Sequence, residues 1–193
     1  MRFDRLFDDL EGQLDHELGA EAVDLEAEEE RLRLGRMSVR DRLRALAERQ
    51  ADPVRVVLRG GDTISLQVAS VGRDWVSGRL DLGERRDALL PIASVASLVL
   101  GRRQLPSSVP SGEPDGDRSL SAKLTLSFVL RDLCRRRRTV DLRCDGFQVT
   151  GTIDRVGRDH LDLAVHAVGE PRRERSVAQW RIVPFEQLVL VRY

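Results

Sequence analysis

The sequence predicts a mainly β protein with helices, an α+β chain. It reads as two tandem small β-barrels, each a helix followed by five strands, behind an N-terminal helix. Three observations carry this reading. A four-residue string recurs at a fixed offset. Short alternating apolar runs bounded by turn residues fill each half. An apolar stripe at helical spacing precedes each set of strands.

The string Val71-Gly72-Arg73-Asp74 returns as Val156-Gly157-Arg158-Asp159, 85 residues later. The same offset sets Gly61 on Gly146, Ile64 on Val149 and Val76 on Leu161. Leu89-Leu90-Pro91-Ile92 then matches Ile182-Val183-Pro184-Phe185 at an offset of 93, so the second copy carries eight extra residues around Val168–Arg173. Ordered anchors across about fifty residues point to an internal duplication.

The first copy reads as strands at Val54–Leu58, Ile64–Val68, Trp75–Leu82, Ala88–Pro91 and Val95–Leu100, with Gly83–Asp87 as a polar hairpin. The second reads as Val140–Cys144, Phe147–Ile153, His160–His166, Val177–Val183 and Leu188–Val191. Ile64, Leu66, Val76, Leu90 and Val95, with Val149, Ile153, Leu161, Val183 and Leu188, are the expected core. Five short strands with tight turns suit a barrel that closes its own edges. Ahead of them, Val39, Leu43, Leu46 and Ala47 form one helical stripe, and Leu126, Leu130, Leu133 and Cys134 form the other at an offset of 87.

Four segments follow: an acidic amphipathic arm (1–35), a first unit (36–103), a Pro/Ser/Gly linker (104–118) expected to be exposed, and a second unit (119–193). The chain is neutral as a whole, but residues 1–34 carry twelve acids and four arginines, while each unit is mildly basic. Such asymmetry suits an interaction tail or a nucleic-acid surface. In the arm, Phe3, Leu6, Phe7, Leu10 and Leu14 follow helical spacing and form a candidate partner-helix interface.

A helix followed by five strands, with glycine after the first strand and in the turn after the second, resembles the Sm-like small-barrel fold. SH3-like barrels have similar strand orders. The resemblance covers residues 38–100 and 124–193. The asparagine that Sm-like RNA binders carry in the second turn is absent from Gly72–Ser77 and Gly157–Asp162, and so is their later Arg-Gly pair. The resemblance therefore implies a fold and no RNA-binding residues. Lys123 is the only lysine, a bias that fits a high-GC bacterial genome.

No nucleotide, zinc-protease or hydrolase motif is present, so neither catalysis nor a metal or other cofactor is expected. Asp74 and Asp159 read as turn residues that satisfy local backbone amides. Cys134 is expected as a buried free thiol, and Trp180 and Phe147, candidates for stacking beside the arginines, are expected rather as core residues. The basic run Arg135, Arg136, Arg137 and Arg138, with Arg172, Arg173 and Arg175, is the candidate phosphate- or partner-binding set. No apolar run spans a membrane and no secretory signal opens the sequence, so a cytoplasmic protein is expected. The sequence is read as a non-enzymatic binding, scaffold or regulatory protein with a protein partner or self-association. The alternative is an RNA- or DNA-binding regulator. No small-molecule substrate is evident.

Overall fold

The computed structural model describes residues 25, 27–50, 52–82, 84–110, 120–169 and 172–193. The chain divides into two compact units, Met1–Ser38 and Val39–Tyr193. Within the first, helix α1 covers residues 27–36, where Arg33 pairs with Glu30 at 2.7 Å and Arg31 with Glu28 at 3.4 Å. Phe3, Leu6, Phe7, Leu10 and Leu14 lie outside the described residues.

The second unit holds helices α2 (Val39–Glu48), α3 (Gln104–Ser107), α4 (Leu120–Lys123) and α5 (Leu126–Arg135). Its strands are β1 (Val54–Leu58), β2 (Thr63–Val71), β3 (Trp75–Leu82), β4 (Glu84–Pro91) and β5 (Val95–Val99). The second set is β6 (Thr139–Cys144), β7 (Phe147–Val156), β8 (His160–Val165), β9 (Gln179–Pro184) and β10 (Leu188–Arg192). Residues 84–87, expected as a polar hairpin, belong to β4, because β3 and β4 pair down to Leu82↔Glu84. Residues 104–107, read as linker, form α3. Gln104 donates to Asp52 O and Pro53 O, and Ser108 is buried.

The two closed barrels are not formed. All ten strands make one open antiparallel sheet, in the order β5-β1-β2-β3-β4-β10-β6-β7-β8-β9. The reason lies at the joint. β4 takes β10 of the other copy as its outer neighbour, so neither set of five closes on itself.

Within this sheet the pairing register repeats. Val71↔Val76 in the first copy corresponds to Val156↔Leu161 in the second, and Val76↔Leu90 corresponds to Leu161↔Val183. The β2–β3 irregularity between Val68 and Ser70 recurs between Ile153 and Arg155. Each copy also brings two strands very close at a glycine. A methyl group on Gly78 would overlap the Gln67 carbonyl oxygen, and one on Gly151 would overlap that of Ala164.

The alternating strands and the leading helices bury two apolar clusters. Every expected core residue is buried except Val95, which is half-buried. Leu43 and Leu46 of α2 pack into the first cluster, and Leu126, Leu130 and Leu133 of α5 into the second. Val39, expected on the apolar stripe, is exposed. Each cluster borrows from the other copy: the first includes Val189 and Leu190 of β10, the second Trp75 and Leu89.

Polar contacts complete the joint. Trp75 Nε1 donates to Leu124 O at 3.0 Å, and Tyr193 N to Asp87 O at 3.0 Å. The buried Ser94 hydroxyl reaches Val189 O at 2.8 Å. Arg59 pairs with Asp145 at 3.0 Å, and Arg143 pairs with Asp62. The turn Asp74 does not serve a local amide with its side chain. Its Oδ1 accepts from Leu126 N at 2.7 Å, which satisfies an otherwise orphaned donor at the start of α5. The second turn aspartate, Asp159, instead accepts from the His160 ring at 2.8 Å.

Candidate functional site

The run Arg135–Arg138 leaves α5 at its C-terminal end, where cations face the exposed carbonyls of the last turn. Its charge is answered in part within the chain. Asp132, one turn back, accepts from Arg135 and lies 2.7 Å from Arg136 Nε. Arg137 turns into the left-handed region at φ 54, which aims its side chain at Asp154 on β7, 3.4 Å away. Arg138 stacks over the Tyr193 ring at 5.5 Å. Exposed Arg–carboxylate pairs of this kind contribute little stability, but they lower the charge presented to a phosphate.

The expanded β8–β9 connection brings Arg172 to the same carboxylate. Its fork donates to Asp154 Oδ1 at 2.9 Å and Oδ2 at 2.6 Å. Asp154 thus gathers both Arg172 and Arg137. The Arg172 hydrogen bonds hold its carboxyl below the usual carboxylate range, against partial burial that works the other way. Arg173 and Arg175 are exposed. Of the candidate arginines, Arg135 and Arg136 gather at Asp132 and Arg137 and Arg172 at Asp154.

A group with a depressed folded pKa contributes stability above its unfolded pKa and loses it as pH falls through the folded value. Asp154→Asn is accordingly expected to cost about 1.5–3 kcal/mol at neutral pH, the range for hydrogen bonds to charged groups. The gap from wild type should close in strong acid, below the ordinary aspartate pKa of about 3.9. Urea unfolding of both proteins at the two pH values checks this. An equal gap at both would contradict it.

The sheet edges differ from these polar neighbourhoods. β9 pairs with β8 on one side and with no described strand on the other. It exposes Trp180 (57%) and Ile182 (73%), two residues apart and so on one face of the strand. Phe147 is exposed as well, with the Arg181 guanidinium 5.2 Å from its ring centroid. Trp180 and Phe147 were expected in the core; the structure puts both at the surface. The other open edge is β5, which among the described strands pairs only with β1 and exposes Ala96, Ser97 and Val99. Trp180 was singled out in the sequence, but not as part of an open edge with Ile182. The available signal was Trp180 and Ile182 at strand spacing beside the arginine-rich expansion.

Both thiols are free; Cys134, expected to be buried, is half-buried, and Cys144 is buried. Burial pushes the Cys144 thiol up to about 11, with Asp145 adding to the effect. His166 is buried against Thr152 at 2.9 Å and Ala167 O at 3.0 Å. Among the described residues, no group of three His, Cys, Asp or Glu side chains could hold a metal ion. Nor is any described helix long and apolar enough to cross a membrane.

Compared with known proteins, the chain matches no family model, no curated protein and no solved structure.

Proposed function

We propose that this protein is a non-enzymatic binding scaffold that works through protein–protein contacts along the open edges of its sheet. One observation carries the reading: edge strand β9 exposes Trp180 and Ile182 on a side of the sheet where no described strand pairs. An open edge is a template for an added strand, and natural proteins usually blunt such edges with charge or a covering element. Tryptophan is also enriched among residues that anchor protein interfaces. Asp132 and Asp154 answer part of the arginine charge, and the exposed apolar pair on β9 favours a protein partner over a nucleic acid.

The test is affinity capture on the full chain, wild type against Ile182→Lys, with and without nuclease. The expected result is a protein set that survives nuclease and is depleted at least several-fold in the variant. Capture that nuclease abolishes, or that Ile182→Lys leaves unchanged, would overturn the proposal.

A further inference from the structure

We infer that a second copy of this chain occupies the open edges: β9 of one molecule pairs with β5 of the next, repeating head to tail the joint that β4 and β10 make inside the chain. This rests on the reading of the edges as binding surfaces and names their occupant.

The internal joint is the template. By strand order and register, β9 corresponds to β4 and β5 to β10, each at an offset of 93 residues. Leu89 on β4 is fully buried opposite Val191 of β10, while its counterpart Ile182 is 73% exposed. Pro91 is buried and its counterpart Pro184 is exposed. On the complementary strand, Leu188 to Val191 are all buried, whereas counterparts Ala96 and Ser97 are exposed and Val95 and Leu98 only half-buried. What the two repeats cover between them inside the chain, they leave uncovered at its two ends.

The pattern continues beyond the strands. Asp74 accepts from the start of α5 and Trp75 inserts into the second core. Their counterparts Asp159 and His160 stand at the open end of the second repeat, with 84% and 43% of their side chains exposed. The residue that Asp74 meets, Leu126, is 4% exposed, while its counterpart Val39 at the start of α2 is 48% exposed. Both halves of the joint thus recur without their neighbour.

The internal register fixes the expected one. Leu89↔Val191 and Ala88↔Arg192 carry over to Ile182↔Leu98 and Arg181↔Val99 between molecules. Such a heterologous contact adds copies in one direction, to a ring if the rotation closes and to a filament if it does not. It buries less apolar surface than the internal joint, because His160 replaces Trp75 and Ala96 and Ser97 replace Val189 and Leu190. The contact between chains is therefore the weaker and more reversible of the two.

Sedimentation of the full chain over a concentration series tests this. Wild type should rise above the 21.8 kDa of one chain. Ile182→Lys should stay at single-chain mass with unchanged melting, since the side chain is already exposed. Mixed Leu98→Cys and Ile182→Cys variants should form a disulfide-linked pair on oxidation, in a yield well above that of either variant or wild type alone. Single-chain mass for wild type up to millimolar concentration would overturn the inference, as would assembly that Ile182→Lys leaves unaltered. If the purified chain is a single molecule and edge-dependent capture of other proteins persists, self-assembly fails and the scaffold reading stands.

Discussion

Gly78→Ala and Gly151→Ala are each expected to cost at least about 3 kcal/mol, the upper part of the range for overpacked cores. The added methyl would meet backbone in both cases, the Gln67 carbonyl in one and the Ala164 carbonyl in the other. A side chain can rotate away from such a contact, but a carbonyl held between paired strands cannot. Relief would require β2 and β3, or β7 and β8, to move apart and give up ladder hydrogen bonds. Equilibrium urea unfolding measures the loss. Wild-type-like stability of both variants would mean that the strands do not approach as described.

Trp75→Ala is expected to cost about 3–5 kcal/mol, as aromatic truncations in cores do. The ring belongs to the first residue of β3 in the first repeat yet lies in the core of the second, and its removal also leaves Leu124 O without its indole donor. The effect should therefore fall on the joint between the repeats. His160→Ala at the corresponding place should change stability by no more than about 0.5 kcal/mol, because that ring is at the surface. Equal losses from the two variants, read by thermal melting, would contradict the assignment of Trp75 to the joint.

The strand positions were legible because period-two alternation with punctuating turns follows directly from half-burial, as at Ile64, Leu66 and Val68. The cores were legible for the same reason. The way the two sets of strands associate was not. Closing each set into its own barrel and joining the sets edge to edge satisfy the same alternation along most strands. One signal distinguished them: Leu188-Val189-Leu190-Val191 and Ala88-Leu89-Leu90 are continuous apolar runs, which mark strands covered on both faces. The corresponding stretch Val95-Ala96-Ser97-Leu98 lacks such a run, and its strand is an open edge.

Of the candidate site, the arginines were legible as charge, but their engagement was not. Asp154 and Arg172 are eighteen residues apart, and only the folded β7 and the β8–β9 connection bring them together. Asp74 shows the same limit. A turn aspartate is locally sufficient, and nothing in its neighbourhood reveals that it meets the start of a helix fifty-two residues on.

If the chain's two open edges are the separated halves of its own internal joint, they should meet between molecules as concentration rises. Hydrogen exchange of the wild-type protein over a concentration series tests it most directly. The outward amides of β9 and β5 should gain protection together as concentration rises, while those of β2 and β7, already paired on both sides, stay unchanged. Edge amides that exchange at the same rate at every concentration would contradict it.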